Sequence, residues 1–343
     1  MEYRRLGASG LAVSEIAYGN WLTHGEPGCV TAALDAGVTT FHTAAAWDGG
    51  AAEAAYGAVF SGLDRDELVL CTGVFWPEGP GPNAAGLSRK HVIASCEGSL
   101  RRLRTDHVDV YQLLRFDYRT PVAETFLALS DLVRQGKIRY AGTSEWTAEQ
   151  LLQAHEAAQR YDVPLIANQP HYSMLWRVAE AQVMPVSDRI GVGQFASVPL
   201  AQGVLTGKYH DGRIPPGSRA AGPAYARPLL MPELLERVEL LRGVADDAGL
   251  TMAQLALAWT LQHEGVASTI AGASTPEQVT ENAKAASIRL DLDVLTRIDH
   301  LLGSFIQTDP RLVWSPPAQP APRTGAPEPS DTEPNQHPAP RTS

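Results

Sequence analysis

The chain is 343 residues long, 44% hydrophobic and 19% charged, with a formal net charge of −10. That charge is spread along the sequence rather than gathered in blocks, which argues against nucleic acid or an anionic membrane as partner and leaves small molecules or proteins. Cys29, Cys71 and Cys96 lack metal-ligand spacing, and nowhere do about 18 uncharged apolar residues run together, so no disulfide framework, metal site or membrane span is expected, and a reducing, cytoplasmic setting is.

In chain order, residues 3–6 and 13–16 flank the turn-rich Gly7-Ala8-Ser9-Gly10 and read as a β-hairpin. Short β-branched or apolar runs then alternate with segments of helical period: 39–43 with 52–60, 68–74 with 88–103, 108–113 with 121–135, and 140–143 with 148–160. Residues 165–169, 193–198 and 268–271 open further units of the same kind. The count comes close to eight, which favours an α/β fold, a (β/α)8 TIM barrel with an N-terminal β-hairpin cap across its bottom, over a doubly wound sheet, because no strand leads into a G-x-G-x-x-G turn. The barrel is expected over residues 1–314. Residues 315–343 are too rich in proline and polar groups to bury a core and are expected to be disordered.

Near the end of the barrel, Thr275-Pro276-Glu277-Gln278 supplies a capping hydroxyl, a proline at the first helical position and a glutamine at the third. Such a start leaves backbone N–H groups facing the barrel mouth, an end that attracts anions. Five phrases in order, YRRLGASGLAVSEIAYGNW from residue 3, GKIRYAGTSEW at 136–146, NQPHYSMLWR at 168–177, PLAQGVLTGKY at 199–209 and GASTPEQVTENAKA at 272–285, resemble the aldo-keto reductase family, in particular its branch similar to potassium-channel β subunits. The resemblance implies NADP(H) across the C-terminal mouth of the barrel. Ser274, Gln278, Glu281 and Asn282 would then contact the adenosine half, Lys208 and Arg219 the phosphates, and Ser144 and Gln169 the nicotinamide carboxamide. An ordinary capping box and surface charges are the plainer explanation of the same residues. The family's stacking aromatic falls at Ser197, so the ring's platform is missing.

The resemblance also implies a reductive tetrad of aspartate, tyrosine, lysine and histidine, and here the corresponding positions hold His42, Trp47, Gly73 and Leu114. An indole N–H is no usable acid near neutral pH, Gly73 supplies no cation and Leu114 no donor. Losing general-acid catalysis alone costs about 10² to 10⁴ in rate, so ordinary carbonyl reduction is expected to be very weak. Tyr56 and Lys90 lie on neighbouring helical segments and are not expected to reach the mouth.

His42, Trp47, Asp48, Arg115 and Asp117 would gather at the mouth instead, with His24 and Glu145 in loops that could approach it. An imidazole there can move protons at neutral pH, or else is a packed, hydrogen-bonded filler. Arg115 and Asp117 can bind a polar substrate or form a structural ion pair. Trp21, Trp47, Trp76, Trp146 and Trp176 suggest an aromatic-walled cavity or simple core packing. The function expected from these features is an enzyme repurposed for dehydration, isomerisation or cyclisation of a small organic molecule, with NADP(H) as a candidate cofactor; the alternatives are a non-catalytic NADP(H)- or metabolite-binding regulatory protein and an atypical NADPH-dependent carbonyl reductase.

Overall fold

The alternation of short apolar runs with helical segments closes on itself in the computed structural model, which describes residues 1–23, 26–222 and 226–313. The tail expected to be disordered and His24 lie outside the described residues. A two-stranded antiparallel hairpin, β1 (Tyr3–Arg5) and β2 (Ala12–Ser14), precedes eight parallel strands: β3 (Ile16–Gly19), β4 (Thr40–His42), β5 (Val69–Val74), β6 (Val108–Leu113), β7 (Ile138–Ser144), β8 (Leu165–Gln169), β9 (Gly193–Ala196) and β10 (Val266–Ala271). Each strand pairs with the next and β10 pairs with β3, so the barrel is closed. Around it run α1 (Pro27–Asp35), α2 (Ala51–Phe60), α3 (Arg89–Leu103), α4 (Val122–Arg134), α5 (Ala148–Arg160), α6 (Val178–Ala181), α7 (Val183–Ile190), α8 (Pro232–Asp247), α9 (Met252–Thr260), α10 (Pro276–Ala283) and α11 (Leu292–Leu302).

The helices form where their chemistry predicts. In α4, Phe126, Leu129 and Leu132 recur at helical spacing and are fully buried against the strands. Reciprocal capping boxes, Thr147 with Gln150 and Thr251 with Gln254, start α5 and α9. Between barrel and helices, Phe41 packs edge-on against Tyr18, Tyr56 and Phe60.

The one strand that the alternation does not reveal is β3. Residues 13–16 read as one hairpin arm, but β2 ends at Ser14 and the barrel begins at Ile16. The corner is made by tertiary contacts rather than by a glycine or proline. Ser14 Oγ donates to the Ile16 carbonyl at 2.8 Å, and the buried Glu15 carboxylate accepts from Arg4 at 2.6 Å, the Ser287 N–H at 2.7 Å and Arg289 at 3.1 Å. Arg4 also donates to the carbonyls of Leu261 and Val266, both at 2.9 Å, which fastens the hairpin beneath β10. Leu6 and Val13 then plug the lumen below Val69, Cys71, Val110 and Phe195. With its floor filled, the barrel is open to function at the C-terminal ends of its strands.

Candidate ligand site at the barrel mouth

His42 is the last residue of β4, and its ring meets Phe195 edge-on across the lumen at 4.5 Å. It is 1% exposed, and among the described residues neither ring nitrogen has a hydrogen-bond partner. Burial alone depresses its pKa to about 3, so the ring is neutral at physiological pH. The packed-filler reading fits the contact with Phe195, although its hydrogen-bonded half has no partner here.

Trp47 is half-buried and opens a single turn in which Asp48, exposed, and Gly49 have φ of 50° and 60°. A Cβ at Gly73 would lie 2.7 Å from the Gln112 carbonyl and 2.8 Å from Leu114 Cδ2. Leu114, itself buried, therefore stands where any side chain from position 73 would start. Tyr56 lies on α2, its hydroxyl donating to the Tyr18 and His42 carbonyls at 3.1 and 3.3 Å on the outer side of the sheet, while Lys90 is exposed on α3.

The rim over β5, β6 and β7 carries the next group. Asp117 accepts from the Leu87 N–H at 2.7 Å, the Thr120 hydroxyl at 2.8 Å and the Arg119 N–H at 2.9 Å, so it organises the loops after β5 and β6. Arg115 donates to the Leu114 carbonyl and lays its guanidinium over the Trp76 ring, 5.4 Å from the centroid. Burial pulls its pKa down and the charge of Glu145 partly restores it. Glu145 is buried at φ 59° and accepts from the His171 N–H. Trp146, next along, is buried edge-on against Phe116 at 4.9 Å.

On the opposite rim, Ser144 and Gln169 are register partners on β7 and β8, and the Ser144 hydroxyl donates to the Gln169 carbonyl at 3.0 Å. Ser197 donates to the Pro170 carbonyl at 3.0 Å, and the following Val198 sits at φ 54°, a costly setting for a β-branched residue. Arg219 donates to Gln202 Oε1 at 2.6 Å and the Trp21 carbonyl at 3.4 Å, with the Trp21 ring 5.1 Å away. The Lys208 ammonium packs over Gly203, where a Cβ would come within 3.2 Å of it. Burial and then the charge of Arg219 lower its pKa. These two cations repel each other, and the side-chain partner of Arg219 is a neutral amide.

Thr275 caps α10, accepting from the Gln278 N–H at 3.3 Å, while the Gln278 side chain accepts from the N–H and hydroxyl of Ser274 at 3.0 and 3.1 Å. Asn282 is buried; Glu281 pairs with Lys284 and accepts from Gln254 at 3.1 Å. Those three residues, Glu281, Lys284 and Gln254, with Asp246, Leu250 and Thr251, line an open groove of about 630 Å³.

The predicted residues thus fall into a lumen group, a β5–β7 rim group and a cationic group beside α10. The five tryptophans do not form one wall: Trp21 faces Arg219, Trp76 faces Arg115, and Trp176 stacks on His171 at 5.1 Å. Gln202 and Gln112 escaped the sequence reading; nothing marks a glutamine in a turn at φ 59°, or one inside a lumen, before the chain is folded. Among the described residues no three His, Cys, Asp or Glu side chains are grouped to hold a metal, and no helix is long and apolar enough to cross a membrane.

The residues present fit the phosphates of NADP(H). Two like charges share one recess, Ser218 Oγ is buried in the same loop without a partner among the described residues, and a capped helix start lies across the mouth. The family model for the "Aldo/keto reductase family" matches residues 28–302. The "Probable voltage-gated potassium channel subunit beta" of Arabidopsis thaliana is 40% identical over 320 residues, covering 89% of this chain and 97% of the relative. The "Putative voltage-gated potassium channel subunit beta" of Schizosaccharomyces pombe is 40% identical over 320 residues, covering 88% and 93%. The "Probable voltage-gated potassium channel subunit beta" of Oryza sativa subsp. japonica is 39% identical over 320 residues, covering 89% and 97%.

Proposed function

This chain belongs to the aldo/keto reductase family, and from that premise we propose that it holds NADP(H) and a small organic molecule at the barrel mouth as a regulatory protein, without ordinary carbonyl reduction. The observation that carries this reading is the contrast between the two sides of the mouth. Among the described residues Lys208 and Arg219 have no carboxylate partner in their recess, whereas the positions to which the family resemblance assigns the reductive tetrad hold a neutral buried imidazole, an indole, a glycine and a leucine.

Lys208, Arg219 and Ser218 would hold the phosphates; Ser274, Gln278, Glu281 and Asn282 the adenosine half; Ser144 and Gln169 the nicotinamide carboxamide. When bound, the cofactor supplies a hydride. What this chain lacks is a partner for the other half of reduction: His42 is not protonated to imidazolium at neutral pH and so is no acid of useful strength, and nothing at position 73 or 114 can stabilise a developing alkoxide. The names of the plant and fission-yeast relatives, channel β subunits, support a regulatory role in which nucleotide occupancy is passed to a partner protein.

A second reading, a non-reductive step on a small molecule, draws support from the left-handed backbone at Glu145 and Val198, since strain of this kind gathers at working sites.

Calorimetric titration with NADPH tests the first reading. Binding is expected, with Lys208→Ala and Arg219→Ala each weakening it at least about tenfold, the equivalent of ~1.4 kcal/mol. NADPH consumption with aldehydes and ketones should stay at background. Absence of nucleotide binding, or turnover at ordinary enzymatic rates, would overturn it; turnover of a substrate without NADPH consumption would favour the second reading.

A further inference from the structure

We propose that the rim over β5, β6 and β7 is a subsite for a small aromatic carboxylate, with the carboxylate on Arg115 and the ring against Trp76. A guanidinium has five N–H donors. Among the described residues, half-buried Arg115 uses one of them, on the Leu114 carbonyl, and its buried Nε has no acceptor. Arg65, equally half-buried at the other end of the barrel, shows what a structural arginine looks like here: its nitrogens go to the Thr105 hydroxyl, the Leu68 and His107 carbonyls and Asp109. The charge of Glu145 favours the charged form of Arg115.

Two more donors are stranded on the same strand ends. Gln112 Nε2 on β6 and Trp146 Nε1 just after β7 are both buried without an acceptor among the described residues. Unpaired buried donors are costly, and the Arg115 fork beside Trp76 calls for a ligand that supplies acceptors. A carboxylate is acceptor-only, planar and anionic, and matches the fork in a bidentate geometry. The surroundings select the rest of the molecule. Trp76 covers one face of the guanidinium, Phe75 meets Trp76 edge-on at 5.1 Å, and Phe116 stands between Trp146 and Tyr118. These are walls for a flat apolar body rather than for a hydrated inorganic anion.

The proposal rests on the mouth being a ligand site but not on the nucleotide, and the test separates the two. The full chain is titrated with benzoate, with benzamide as the same ring without charge, and with inorganic phosphate, each with and without saturating NADP⁺. Benzoate is expected to bind at least tenfold more tightly than benzamide or phosphate, and Arg115→Met to erase that preference. Trp76→Leu should weaken benzoate several-fold. Should Arg115→Met fail to fold, Arg115→Lys, which keeps the charge but loses the fork, is expected to weaken benzoate and spare benzamide. Equal affinities for benzoate and benzamide, no benzoate binding at millimolar concentration, phosphate binding as tight as benzoate, or an unchanged preference in the Arg115 variants would overturn the proposal. Benzoate binding in a chain that ignores NADP⁺ would sink the nucleotide reading alone.

Discussion

At position 73 a single methyl group decides what the mouth can hold. The Cβ of any residue there meets a main-chain carbonyl as well as Leu114, and the carbonyl cannot rotate away. Gly73→Ala is therefore expected to destabilise the fold by about 1–3 kcal/mol, the range for forced overpacking, as read from denaturant midpoints. Gly73→Lys should restore no reductase activity. A second residue-scale prediction concerns His42. Its folded pKa of about 3 lies below the unfolded value of about 6.5, so the unfolded chain takes up the proton first. Stability should be full above pH 6.5 and fall as the pH drops from there towards 3. His42→Gln should flatten that decline without abolishing it, because burial also lowers the pKa of His91. Chemical denaturation across this range checks the sign; stability that rose on acidification would contradict it. The identities of the residues at 42, 47, 73 and 114 were legible in the sequence, but their geometry was not. No periodicity tells that Leu114 fills the volume beside Gly73, or that His42 is sealed under Phe195.

Among elements, those fixed by local chemistry were read correctly and those fixed at long range were not. The cap of α10 and the strands β4 to β10 follow from nearby residues, which is why the helix start at Thr275 and the β6–β7 rim fell where the sequence placed them. The start of β3 depends on Ser287 and Arg289, more than 270 residues away along the chain, and periodicity cannot carry that. A similar long-range tie joins two mouth loops. Arg102 of α3 threads past Gly50 to reach fully buried Glu53 at 2.6 Å, and its other arm points to Glu78 at 3.6 Å. Arg102→Met would leave Glu53 with the Thr72 hydroxyl and no countercharge, at a cost of about 3–5 kcal/mol in unfolding experiments. Loosening of the 47–50 turn, visible as faster amide exchange, should accompany it.

For the whole molecule, the barrel floor sets the behaviour in acid. Burial by itself would raise the pKa of Glu15, but the Ser287 N–H, Arg4 and Arg289 outweigh it and hold the carboxylate below its ordinary range. Its contribution is present above the unfolded value of about 4.3 and disappears as the pH falls through the lower folded one. Glu15→Gln should cost roughly 2–3 kcal/mol near neutrality, the scale of a charged hydrogen bond, and should remove the acid-sensitive step below pH 4. The same floor governs the order of events in folding. At Gly7 the backbone passes so close to Gly191 and Gly193 that an added Cβ at position 7 would sit 2.4 Å from the Gly191 oxygen. The stopper is synthesised well before β9 and β10, the strands beside its seat. Until those strands are made, Leu6 and Val13 lack their full seat, and the nascent chain carries an exposed greasy segment that only completion of β9 and β10 can hide.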